Sequence, residues 1–172
     1  NSWTINNAVA RFVLNGNTFT INSSAPAGNL ATGSTVIRVE NGTLVLAANS
    51  FLAGFTGSLR ASNNGTIQIQ QADWLTSATG ITLDGTAGSA TLEWDNAAAV
   101  TYAGTLSLLG GNDVTVRSLQ ESGALTLTGA VSGTGNLRLL HTGVTAGPTV
   151  ILGLTGGFTG RTILDTANVR IN

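Results

Sequence analysis

An all-β fold, a single-domain parallel β-solenoid, is what this sequence predicts, and three observations predict it. Short triplets recur, apolar-polar-apolar in Leu125-Thr126-Leu127, Leu137-Arg138-Leu139 and Val169-Arg170-Ile171 and wholly apolar in Val150-Ile151-Leu152. Between them lie segments rich in Gly, Thr, Asn and Ser, which make sharp corners, and the chain has 23 glycines but only two prolines. The triplets also succeed one another at short, fairly even intervals, as in a coil that turns two or three corners per circuit. A strand of three to five residues buries no face alone and is stable only when stacked on a like strand about 4.8 Å away.

Taken in order, residues 1–34 form an N-terminal cap and loop, and residues 35–172 form the repeating coils. Trp3, Ile5, Phe12, Leu14, Phe19 and Ile21 alternate with polar residues, and Asn15-Gly16-Asn17 supplies a tight reversal or a corner. Ser23 to Ser34, with Pro26, Gly28 and Gly33, reads as loop. Strands follow at Val36–Val39, Leu44–Leu46, Leu59–Ala61, Ile67–Gln70, Ile81–Leu83 and Ala90–Trp94. They continue at Val100–Tyr102, Leu106–Leu108, Val114–Val116 and Leu125–Leu127, then around Leu137, Val150, Thr162 and Val169. The spacing predicts about six to eight coils, stacking to roughly 30 to 40 Å. Gln70 to Ser77 is the best helical candidate, and it is long enough only for a short turn out of one rung.

In each triplet the flanking apolar residues face inward and the middle one outward. Thr82, Thr101, Ser107, Thr115, Thr126, Arg138 and Arg170 hold outward positions, where threonine suits both an extended backbone and a solvated face.

One stretch carries a resemblance. Ser132-Gly133-Thr134-Gly135, Leu137, Leu139, Val150 to Leu152, Phe158-Thr159-Gly160, Thr162, Val169 and Ile171 resemble a passenger-associated repeat of autotransporters and related bacterial surface proteins. A looser copy runs through Asn41-Gly42-Thr43-Leu44-Val45-Leu46, Phe55-Thr56-Gly57 and Asn64-Gly65-Thr66-Ile67-Gln68-Ile69. The better copy departs from the pattern at His141 to Pro148 and at Arg161. The resemblance implies a right-handed β-helix exported to the cell surface.

Composition narrows the function classes. Charged residues are 9% of the chain, lysine is absent, and the seven arginines are dispersed from Arg11 to Arg170. Nucleic acid binding needs clustered cations, so it is disfavoured. A formal net charge of −1 favours association over self-repulsion. The lack of cysteine suits an oxidising extracellular setting, and a start at Asn1 fits either removal of a leader or an excised fragment. No apolar run approaches the ~18 residues that cross a bilayer.

Candidate chemistry is sparse. Glu93 and Asp95 flank Trp94 in a strand, which puts both carboxylates on one outer face about 7 Å apart. Such a pair beside an aromatic is a candidate glycan contact or glycosidase pair, with Trp74 and Tyr102 extending a shallow groove; the competing reading is a solvated strand face with Trp94 in the core. His141 is the sole histidine and has no nucleophile elbow near it, so a surface-loop histidine is the simpler reading. The glycine runs at 133–135 and 153–160 lack a following lysine and helix and read as corners, and Asn-Gly-Thr at 41–43 and 64–66 matches the glycosylation acceptor through turn chemistry. No cofactor or metal is expected. Two functions remain: a non-catalytic extracellular filament or adhesin subunit, joined head to tail through ends marked by Trp3, Ile5, Val169 and Ile171, or a glycan-binding or glycan-cleaving β-helix.

Overall fold

The computed structural model describes residues 9–22, 35–47, 55–120, 122–141, 150–152, 156–165 and 169–171. Fifteen strands and one helix follow in chain order: β1 (Val9–Val13), β2 (Thr18–Ile21), β3 (Val36–Leu46), β4 (Ser58–Ile69), α1 (Ala72–Ser77), β5 (Gly80–Gly85), β6 (Ala90–Trp94) and β7 (Val100–Tyr102). They continue with β8 (Thr105–Gly110), β9 (Asp113–Ser118), β10 (Leu125–Leu127), β11 (Val131–Gly133), β12 (Asn136–His141), β13 (Val150–Leu152), β14 (Thr162–Leu164) and β15 (Val169–Ile171).

The pairings between these strands are all parallel. Together they make a β-solenoid of about five turns among the described residues, against the six to eight that spacing predicts for the whole chain. Each circuit has three faces. The first runs through β1, the first arm of β3, the first arm of β4, β5, β8 and β11, and the second through β2, the second arms of β3 and β4, β6, β9, β12 and β14. A separate four-stranded sheet, β7, β10, β13 and β15, forms the third.

The first two faces join at a corner made by asparagine and glycine. Asn15, Asn41, Asn63 and Asn64 all have positive φ, between 48° and 61°, a region that asparagine enters more readily than other residues with a Cβ. At these corners β3 and β4 bend and their ladder shifts register by one residue, from Glu40–Ser62 to Gly42–Gly65, and in each case two short strands of the sequence reading become one strand, of 11 and of 12 residues. The Asn15 turn obeys the same rule. Since β1 and β2 both pair in parallel with β3, it is a corner and not a hairpin.

Stacking in register produces continuous inward columns. On the second face Leu44, Ile67, Leu92, Val116 and Leu139 lie one above another, each 1% exposed or less. Full burial of each such side chain contributes about 1.5–3 kcal/mol, which offsets the ordering of a strand too short to fold alone.

Helix α1 packs against β7 and β4. Its Trp74 and Leu75 are buried, and the Trp74 ring meets Phe55 edge-on at 6.0 Å. Asp73 in the first turn complements the positive end of the helix.

Candidate functional site

The outward charged side chains form cross-coil pairs, and the coil repeat sets who meets whom. Arg11, Arg38 and Arg60 stack in register on the first face. Guanidinium groups on adjacent rungs repel unless they are neutralised. Glu40 and Asp84 supply that neutralisation at the corner, two positions along the strand, and Ser62 stands between them in the same column and keeps the two carboxylates two rungs apart.

Arg11 reaches up to Glu40 at 2.5 Å, and Arg60 reaches up to Asp84, 24 residues on. Where Ser62 replaces an acid, Arg38 donates its Nε–H to the serine hydroxyl at 3.1 Å while lying 2.6 Å from Glu40 Oε1 in its own coil.

The two carboxyl groups respond accordingly. The hydrogen bond from Arg11 holds Glu40 below the ordinary range, against the opposing effect of burial and with help from Arg38 and Arg60. For Asp84 burial is the largest single influence and raises the pKa. Hydrogen bonds from Thr86 and Arg60, with the charge of Arg60, overcome it and bring the group down to about 2.

On the second face the glycan candidate resolves into the same kind of pairing. Glu93 is only 4% exposed and accepts from Nε of Arg117 at 2.8 Å and from its Nη2, 24 residues further on and directly in register. Asp95 accepts from the amides of Gln68, Gln70 and Gln120, so it ties together three coils.

Trp94 is in the core, 1% exposed, with its indole N–H donated to the Ala98 carbonyl at 3.1 Å. The next rung makes room for it with Ser118 in register and with Gly123, where a Cβ would sit 3.1 Å from the indole nitrogen. Trp74 and Tyr102 are likewise 1% exposed, and the Tyr102 hydroxyl donates to the Thr105 carbonyl at 3.0 Å while burial pushes its pKa far up.

The groove expected from Glu93, Trp94, Asp95, Trp74 and Tyr102 is therefore corrected. The aromatics point inward, where no sugar can stack on them, and the carboxylates are held by arginine and glutamine. Arg117 is the residue that sequence reasoning missed, although a coil of 24 residues places it opposite Glu93.

The remaining outward surface of the second face is a column of Thr18, Thr43, Thr66, Thr91 and Thr115, continued by Arg138, which pairs with Asp165. Among the described residues no group of three or more His, Cys, Asp and Glu could hold a metal ion, and no helix is long and apolar enough to cross a membrane. The His141 backbone ends β12.

Of the residues expected at the assembly ends, Trp3 and Ile5 lie outside the described residues, whereas Val169 and Ile171 pair with Val150 and Leu152 in β15. Among the described residues, β14 and β15 are each paired along one edge only. Searches among known families, curated proteins and solved structures find no match to this chain.

Proposed function

We propose that this chain is a non-catalytic structural element of an extracellular bacterial surface protein, a β-solenoid that builds a filament or adhesin stalk by end-to-end stacking of coils. The carrying observation is that the described carboxylates with a cross-coil partner, Glu40, Asp84, Glu93, Asp95, Asp113 and Asp165, join one rung to another instead of converging on a cleft. A further rung of like register would continue the ladder at the edges of β14 and β15 that are unpaired among the described residues.

The near-neutral charge leaves little to oppose association. The surface location rests on the resemblance to passenger-associated repeats and is compatible with a thiol-free chain. Identical subunits joined head to tail make a heterologous contact, which propagates as a fibre.

Negative-stain microscopy and light scattering of the purified chain across a concentration series test this reading. Rods whose length grows with concentration are expected. Particles of one length at every concentration overturn it.

A further inference from the structure

The coil length collects on one face what the sequence disperses. Arg11, Arg38 and Arg60 fall in register on three successive rungs of the first face, about 4.8 Å apart, and the same outward column continues through Thr82, Ser107 and Ser132. Their counter-charges lie beneath them: the side chains of Glu40 and Asp84 are 4% and 10% exposed, those of Arg11, Arg38 and Arg60 59%, 33% and 34%. Glu40 and Asp84 are the only acids in the strands of this face. Because Ser62 stands where a third acid would, three guanidinium groups meet two carboxylates, and the column keeps one positive charge in excess.

Much of its hydrogen-bonding capacity is also unused. Arg38 is engaged through Nε alone, by Ser62 and Glu40, and both of its terminal nitrogens lack a partner among the described residues. Arg11 and Arg60 each give one terminal nitrogen, to Glu40 and to Asp84, and Arg60 Nε has no acceptor. A guanidinium carries five N–H donors in a planar fork that fits a carboxylate or a like oxyanion two bonds at a time.

We infer that this column is a docking track for a linear acidic polysaccharide, whose anionic groups take the outward donors of Arg38 and its two neighbours. The inference goes beyond the structural reading and stands apart from it, since a single copy presents the whole column.

Shape selects this occupant as much as charge does. The track is one arginine wide and lies on a flat sheet, so a thin chain of spaced single charges can follow it along the solenoid axis. Where the charges stop, the hydroxyls of Thr82, Ser107 and Ser132 continue the column and can exchange hydrogen bonds with sugar hydroxyls. Duplex nucleic acid presents a charge every ~1.7 Å and is held through many phosphates at once, more than three arginines can neutralise. With a net charge of −1 the chain as a whole does not draw in polyanions, so the attraction belongs to this column.

Biolayer interferometry of the folded chain on immobilised heparin, polygalacturonate and neutral dextran tests the inference. At least one of the two acidic polymers should bind, more weakly as salt rises, and dextran should not. Polygalacturonate carries carboxylates only, so binding to it assigns the track to uronates, and binding to heparin alone assigns it to sulfates. Arg38→Gln should weaken binding about threefold or more, with circular dichroism and the urea midpoint showing that the chain is folded. Arg161→Gln, which removes a more exposed arginine elsewhere on the solenoid, should leave binding unchanged. Thr82→Arg places a fourth arginine two positions before Asp84, as Arg38 stands before Glu40, and should tighten binding by a similar factor; it decides the matter if Arg38→Gln does not fold.

No binding to either acidic polymer at low salt would overturn the inference. So would an equal loss in Arg38→Gln and Arg161→Gln, or a short DNA duplex that binds as tightly as the polysaccharide. None of these results bears on whether rods lengthen with concentration, so the track and the proposed function can fail separately.

Discussion

Removing one partner at a time from the Arg117–Glu93 pair should have unequal costs, and the inequality follows from where each charge sits. The Glu93 side chain is 5% exposed and that of Arg117 34%. In Arg117→Met the methylene cover over Glu93 is kept but its charge partner is lost. A carboxylate is then left buried without compensation, a change that costs about 3–5 kcal/mol in a sealed interior and about 2–3 kcal/mol here, beside a solvated face. In Glu93→Gln the arginine keeps an amide oxygen to donate to and can swing its head into water, so about 1 kcal/mol is expected. Urea denaturation followed by the intrinsic fluorescence of the chain's three tryptophans, the buried Trp74 and Trp94 among them, measures both. The arginine variant should unfold at the lower urea concentration, with a difference in stability of about 1–2 kcal/mol between the two. Equal midpoints, or a lower midpoint for Glu93→Gln, would refute the claim that these charges act as a cross-coil staple. If Glu93→Gln left stability intact but abolished binding to a polysaccharide, the glycan reading would be restored.

The packing, the backbone and the buried charges of the solenoid set three further outcomes. Leu92→Ala, in the middle of a fully buried column, should cost about 3–4 kcal/mol by denaturation; a loss under about 1 kcal/mol would mean that the column is not packed. Gly133→Ala should cost more than about 2 kcal/mol, because φ is +106° and the new Cβ would meet the Leu108 carbonyl oxygen at 2.0 Å. Stability should be lost as pH falls from near 3.8 through about 2, since Asp84 has its pKa lowered in the fold: its contribution is fully present above the unfolded value and disappears as the folded carboxylate takes up a proton. After allowance for solvent at Arg60 this is about 1–2 kcal/mol, and Asp84→Asn should flatten that limb of the pH profile.

Much of the architecture could be read locally. Six strands, among them Ala90–Trp94, Val100–Tyr102 and Leu125–Leu127, begin and end in the structure where the residue pattern puts them, because a rung flanked by Gly, Asn and Thr carries its own boundaries. Helix α1 lies within the stretch Gln70–Ser77, and the Asn-Gly pairs mark corners, since both depend on near neighbours alone. Strand β11 was hidden, because Val131-Ser132-Gly133 has one apolar residue and takes its strand conformation from pairing with β8.

The two Phe-Thr-Gly segments look equivalent in sequence but hold different corners. Phe158 pairs on the first face and leads to the second, whereas Phe55 precedes the first-face arm of β4. What they share is a glycine, Gly57 or Gly160, whose Cβ would strike the carbonyl of Thr35 or Gly135 one rung away at 1.9 or 2.0 Å.

The site was the least legible part. Period two puts Glu93 and Asp95 on an outer face, but their partners Arg117 and Gln120 lie about one coil away in sequence, and only the coil length reveals them.

Backbone nuclear Overhauser contacts in the folded chain test the parallel, in-register stack most directly. Ile67 should show the amide and Hα contacts of parallel strands to Leu92, and Leu92 to Val116, in the order that the buried column requires. Close Hα–Hα contacts between sequential strands, as an antiparallel meander or sandwich gives, would contradict it.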